Sequence, residues 1–202
     1  MIKIEKVEIN GWEAAIRGMR NPKNSWDKSD SKYEDGYFYV GENNLKLMKT
    51  LANAGNDHGK FLRMITITLD ITAPLYWWKE FDTYKVGTVA DSCSTMHKIQ
   101  AKEFTRDDFS CEHLTVASDN ILDSVIETLN FYRDNFNELK DKKYWWQMIQ
   151  LLPTSYNQKR TVLLNYQVLK NMYHARKNHK LDEWHTFCDW VETLPYAKEL
   201  IV

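Results

Sequence analysis

The sequence predicts an α+β protein, on three observations. Residues 61–71, FLRMITITLDI, alternate as a half-buried strand does, the second half of the chain repeats apolar residues at helical spacing, and 7 Gly and 4 Pro are too few for a disordered chain. The expected inventory is one clear strand, several weaker ones and about six helices.

Taken in order, MIKIEKVEI places Ile2, Ile4, Val7 and Ile9 in imperfect alternation, which predicts a short strand with one register slip. WEAAIRGM then reads as a turn or two of helix. Residues 20–41 are rich in Asn, Asp, Ser and Lys and punctuated by Pro22 and Gly36, so they are expected as a long loop. Leu45, Met48, Leu51 and Ala52 recur at helical spacing up to a stop at Gly55. After the strand at 61–71, Pro74 suits the first position of a helix continued by LYWWKEFDTY. Beyond Lys85 the small and β-branched residues of VGTVADSCST break that periodicity and predict a loop or a short extended piece. Helices are expected over residues 120–139, over 144–152 up to Pro153, over 161–176 through Val162, Leu163, Val168, Leu169, Met172 and Tyr173, and over 181–194.

The chain has 202 residues and 24.0 kDa, enough for one domain with a real core, expected to span 1–202. Its 27 basic and 28 acidic side chains name no polyanionic partner, so no strong nucleic-acid signal is present. No apolar run is long enough to cross a bilayer, and MIKIEKVEIN lacks a signal-peptide core, which predicts a cytoplasmic protein without a membrane partner. Cys93, Cys111 and Cys188 are odd in number and widely spaced, hence expected as reduced thiols. The unusual feature is the aromatic content, 8 Trp, 11 Tyr and 8 Phe, which favours ligand binding or oligomerisation without choosing between them.

Among chemical constellations, the six histidines show no zinc-ligand spacing, so no metal is expected, and no nucleophile-elbow, dinucleotide or P-loop motif occurs. Cys93 lies beside Ser94 and near His97, so a thiol with a nearby base is conceivable; a loop rich in hydroxyls is equally a cradle for a phosphate or carboxylate. Lys159, Arg160, Lys170, Arg176, Lys177 and Lys180, interleaved with Tyr166, Tyr173 and Trp184, make the C-terminal helices basic and aromatic. They suit either a solvated face or a phosphate site with a stacked base.

The order of segments (strand, Ala-Pro, short aromatic helix, polar loop, long helix, Leu-Pro, final Asn-to-Arg helix) resembles the flavin-dependent thymidylate synthases, the ThyX family. Laid from Ala73-Pro74, that family's R-H-R-x-x-S-x-N-E-x-S-x-R-Y signature falls on Thr83, Tyr84 and Lys85, then Thr88, Ala90 and Asp91, Cys93, and Thr95 and Met96. LNYQVLKNMYHAR resembles the N-x-R-S-L-x-x-F-L-x-x-R helix, with Asn165 and Arg176 on its first and last positions and Gln167 on the inner Arg. Leu152-Pro153 matches the family's Leu-Pro, with Ile149 where a phosphate-binding Arg stands. NDHGKFLRM resembles G-H-x-[ST]-x-x-E-H through His58, with Arg63-Met64 at its end, and Ala14 to Arg17 resembles the early A-A-R.

This resemblance implies a ThyX-like fold with a mixed or antiparallel sheet, long packed helices and a helix-rich C-terminal half. It implies a homotetramer that binds FAD and a nucleotide and reductively methylates dUMP to dTMP with methylenetetrahydrofolate and NADPH. It places the cofactor on His58, Tyr84, Lys85 and Asn165 and the substrate on Lys79, Thr88, Asp91, Cys93, Ser94 and Arg176, without naming a catalytic residue. Four cationic positions of the family have become Thr83, Thr95, Ile149 and Gln167. At roughly 1.5–3 kcal/mol for each charge-assisted hydrogen bond, their loss implies dUMP affinity lower by orders of magnitude unless Lys79, Lys85, Lys98 and Arg176 compensate. The alternatives are related chemistry on another pyrimidine nucleotide and a non-catalytic nucleotide-binding or sequestering oligomer.

Overall fold

The computed structural model describes Met1–Val202. The chain divides into two compact units, one of Met1–Lys3, Ile71–Thr83 and Asp91–Arg160, the other of Ile4–Asp70, Tyr84–Ala90 and Thr161–Val202. Its elements are β1 (Lys3–Asn10), α1 (Trp12–Arg20), β2 (Lys32–Glu34), β3 (Tyr37–Tyr39), α2 (Glu42–Ala52), β4 (Thr66–Pro74), α3 (Leu75–Phe81), β5 (Val89–Ser92), α4 (Val116–Leu139), α5 (Lys142–Leu151), β6 (Asn157–Asn165), α6 (Tyr166–Arg176), α7 (Asp182–Glu192) and α8 (Ala197–Leu200). One four-stranded sheet has the order β1-β4-β6-β5, and β2 and β3 form a separate antiparallel hairpin. The class is α+β, as the sequence predicts. No helix is long and apolar enough to cross a membrane.

In the first unit, α3 buries its aromatic face completely. Trp77, Trp78 and Phe81 stack on one another with centroids 5.0 to 5.1 Å apart, and the Trp78 indole N–H donates to the Gln158 carbonyl at 2.8 Å. The paired tryptophans are therefore packing residues, the ring edges and faces supplying the contact. Pro74 precedes α3 in extended conformation as its N-cap, one position earlier than the sequence suggests. α4 and α5 form a helical hairpin: Lys140 takes left-handed backbone to end α4, and the Asp141 carboxylate accepts from the Lys143 amide at 2.9 Å to start α5. Between them lie Leu122, Ile126, Leu129 and Met148, joined by Ile99, Phe104 and Phe109.

In the second unit, the register slip expected in β1 is Lys6, at φ 53°. Gly11 follows at φ 92°, where a Cβ would come within 2.0 Å of the Met64 carbonyl, so only glycine passes the chain from β1 into α1. The segment 20–41, expected as a loop, instead carries two 3₁₀ turns and the β2-β3 hairpin. It is held by a polar network in which Asn44, fully buried, donates to the Ser29 and Ser31 hydroxyls and accepts from Arg20, while Asp30 accepts the Asn43 and Asn44 amides at the start of α2. The main correction concerns residues 157–165. The sequence suggests that helix begins at 161; the structure has strand β6, with Val162 and Leu164 buried and Leu163 exposed, and helix only from Tyr166. A short apolar run cannot be assigned by periodicity alone, and Asn165 resolves it by capping α6, its side chain accepting from the Val168 amide at 3.0 Å.

Candidate functional site

In the second unit, the loop leaving α3 lies against α6 and α7. Arg176, in the last turn of α6, donates from Nε to the Tyr84 hydroxyl at 3.0 Å. Its guanidinium carbon sits 5.6 Å from the Tyr84 ring centre and 5.1 Å from that of the buried Trp184, and the two rings meet edge to face at 6.3 Å. A cation at a helix C-terminus between two ring faces is stabilised both by the helix dipole and by the ring quadrupoles. The result is a fixed, half-buried positive charge. Tyr84 and Arg176, assigned to different ligands in the sequence reading, are thus direct partners.

Three residues on, Gly87 has φ 80°, and a Cβ on it would meet the Asn165 amide nitrogen at 2.9 Å and Val168 Cγ2 at 3.3 Å. The loop backbone therefore rests on the first turn of α6, next to the Asn165 cap. Thr88 follows, its hydroxyl buried and without a hydrogen-bond partner. A buried orphan hydroxyl is costly in a protein interior and becomes satisfied when a ligand supplies the missing group. Gly87 escaped the sequence reading; the only available signal was a single glycine between β-branched residues. His58 is exposed just before the 3₁₀ turn Gly59–Met64, and a Cβ on Gly59 would lie 3.7 Å from the Gln167 side-chain oxygen. Lys85 is exposed.

The first unit holds the remaining expected residues. Lys79 is exposed on α3, and Asp91 is exposed on β5. Cys93, also exposed, is anchored by its backbone: its amide donates to the Lys159 carbonyl at 2.9 Å and its carbonyl accepts from Gln158 at 2.7 Å. Ser94 Oγ accepts the amides of Met96 and His97 at 3.1 and 2.9 Å, which uses both lone pairs. The same hydroxyl lies 3.1 Å from His97 Nδ1, within hydrogen-bond reach. His97 is the partner of Ser94, and no hydrogen bond joins it to Cys93. Arg160, read from sequence as part of a basic helix, lies on β6 with its guanidinium 4.2 Å from the Trp78 ring centre and Nη1 donating to Asp82 at 2.7 Å.

The positions that the resemblance lays on family cations carry neutral side chains. Gln167 is buried and donates to Asn171 at 3.1 Å, Ile149 packs on the apolar cluster between α4 and α5, and the Thr83 hydroxyl donates to the Glu80 carbonyl at 2.7 Å. Burying an unpaired arginine at either of the first two places would be unfavourable, so these residues form a self-consistent set.

The whole chain follows a known architecture. Two crystal structures of the flavin-dependent thymidylate synthase ThyX from Helicobacter pylori, both with FAD and dUMP, match it at a TM-score of 0.74. One is 16% identical over 98% of this chain and 97% of that chain, the other 15% identical over 100% and 97%. The fold is the ThyX fold. A UMP/dUMP methylase, PolB from Streptomyces cacaoi, bound with 5-Br dUMP, shares it at a TM-score of 0.65 and 14% identity over 99% of this chain and 94% of that chain. At these identities the likeness is one of architecture. No protein-family model and no curated protein matches the sequence. On this fold Asn165 caps α6 and Arg176 lies in its last turn, with neutral, packed side chains at Gln167 and Ile149.

Proposed function

We propose that this chain is a ThyX-like protein that binds a pyrimidine nucleotide and a flavin, its nearest activity being the FAD-dependent reductive methylation of dUMP to dTMP with methylenetetrahydrofolate and NADPH. The observation that carries the reading is Arg176 clamped between Tyr84 and Trp184, beside a glycine-pinned loop, in a fold shared along the whole chain with proteins solved with FAD and dUMP.

The residues fit such a pair of ligands. The orphan Thr88 hydroxyl is suited to a ligand oxygen or amide, and Asn165, rigid as a helix cap, is suited to one polar edge. Arg176 would orient the nucleotide phosphate, with Tyr84 fixing the guanidinium so that little rotamer entropy is lost on binding. The sequence resemblance assigns Lys79, Asp91, Cys93 and Ser94 to the substrate as well, and His58, Tyr84, Lys85 and Asn165 to the flavin. When bound, FAD supplies the two-electron chemistry that no side chain here has. Assembly as a homotetramer in the cytoplasm belongs to the same proposal.

The test is direct. Purified protein should show flavin absorbance, or acquire it with FAD, and with dUMP, methylenetetrahydrofolate and NADPH should yield dTMP; absence of both sinks the synthase reading. A second reading, a nucleotide-binding oligomer without catalysis, is favoured by the neutral packing of Gln167 and Ile149. It predicts stoichiometric nucleotide binding with the nucleotide recovered unchanged. A related reaction on another pyrimidine nucleotide predicts turnover of UMP or a relative where dUMP fails.

A further inference from the structure

A second cleft lies in the second unit, between α1 and the hairpin β2-β3, and shares no residue with the proposed nucleotide site. Its volume is about 370 Å³, within the range of small-molecule pockets. Its polar lining is basic: Arg17, Arg20 and Lys32 against the single carboxylate of Glu13. Its apolar lining includes the rings of Trp26, Tyr33 and Phe38.

The unusual member is Arg20. It is only 5% exposed, yet no carboxylate lies within ion-pair distance. Its Nε donates to Asn44 at 2.7 Å and its Nη1 to the Ser25 carbonyl at 3.1 Å, both neutral acceptors. Asp30 acts on it only at longer range, and both Asp30 oxygens already accept backbone amides. A buried guanidinium without a contacting counter-ion is unfavourable unless something anionic completes it. Arg17, one turn earlier, meets Glu13 only loosely, at 3.7 Å between two exposed side chains.

The rings are arranged for a flat partner. The Trp26 indole N–H donates to Asn21 at 2.8 Å, which fixes its plane, while half its surface stays open. Tyr33 and Phe38, paired across the hairpin, meet edge to face at 5.0 Å, and Tyr33 is 64% exposed. Exposed aromatic faces beside clustered cations are what stacks a planar ring while holding an attached anion.

We propose that this cleft binds a small planar anion, an aromatic or heteroaromatic ring carrying one carboxylate or phosphate, with the anion on Arg17 and Arg20 and the ring against Trp26 and Tyr33. Calorimetric titration of the full chain with AMP and with pyridine-3-carboxylate separates the phosphate from the carboxylate version, and adenosine and inorganic phosphate each supply half of the ligand. At least one of the two anionic rings should bind, with adenosine and phosphate weaker by roughly ten-fold or more. Arg17→Ala and Trp26→Ala, at exposed positions, should each weaken that binding, Arg17→Ala by about ten-fold, and Arg176→Gln should leave it unchanged. Absence of binding by both anionic rings at millimolar concentration overturns the proposal. So does binding that survives Arg17→Ala and Trp26→Ala, or that Arg176→Gln abolishes.

Discussion

Gly87 shows how much one missing side chain decides. Its positive φ costs a non-glycine residue about 1–2 kcal/mol, and a Cβ would also press on the Asn165 amide at 2.9 Å. Gly87→Ala should therefore lower stability by about 2 kcal/mol in denaturant titration, and should weaken nucleotide binding further because the loop lifts from α6. A variant with unchanged midpoint would show that the contact is not formed. Tyr84→Phe is milder: it deletes one hydrogen bond to Arg176 and keeps the ring, so a loss near 1 kcal/mol is expected in the same measurement. The thiols divide by environment. Cys93 is exposed, whereas Cys188 is buried and its pKa is pushed up to about 11 by that burial, with Asp189 and Glu192 adding to the shift. Iodoacetamide at neutral pH should label Cys93 in the native protein and reach Cys188 only after unfolding, because the thiolate is the reactive form. Equal labelling of the two would contradict the packing.

At the level of elements, patterning revealed most of the secondary structure and little of the site. The helices α2, α4, α5 and α7 were legible because each buries one face at a regular period, and so was β4, although the strand expected from Phe61 starts only at Thr66, after the 3₁₀ turn Gly59–Met64. β6 was not, since its run of apolar residues fits either period, and only the capping role of Asn165 separates strand from helix. The hairpin β2-β3 was hidden because its strands have three residues each and are largely exposed, while the residues flanking it are held by polar contacts, which leave no hydrophobic pattern. Those contacts have a pH signature. Burial raises the Asp30 pKa, but the amides of Asn43 and Asn44, with Arg20 behind them, outweigh it and hold the carboxyl below its ordinary value of 3.8. A depressed pKa means that Asp30 stabilises the fold fully above the unfolded value and loses that contribution as pH falls through the folded one. Stability of the native chain should decline below about pH 4 more steeply than that of Asp30→Asn, followed by thermal unfolding across acid pH. Parallel curves would remove Asp30 from the argument.

For the molecule as a whole, the informative quantity is how a ligand shifts the folding equilibrium. The site's partners come from segments far apart in sequence, Tyr84 to Thr88 on one loop and Asn165 to Arg176 on one helix, so sequence order could suggest the site only through resemblance and not through spacing. Binding that bridges them stabilises the folded state by RT ln(1 + [L]/Kd), about 2.7 kcal/mol at a hundred-fold excess over Kd. For a chain of this size each kcal/mol raises Tm by about 2–4 °C, so dUMP at that excess should raise it by about 5–11 °C. Arg176→Gln removes the clamped cation and a charged hydrogen bond worth about 1.5–3 kcal/mol, so the shift with dUMP should fall to about half or less at the same concentration. Two controls make the comparison decisive. The variant's unliganded Tm should stay within a few degrees of the native value, since Trp184 and Tyr84 still pack edge to face. Adding FAD before dUMP should enlarge the native shift if flavin and nucleotide occupy adjoining positions, because the first ligand orders what the second must meet. A dUMP shift equal in native and Arg176→Gln proteins would place the nucleotide elsewhere on the chain.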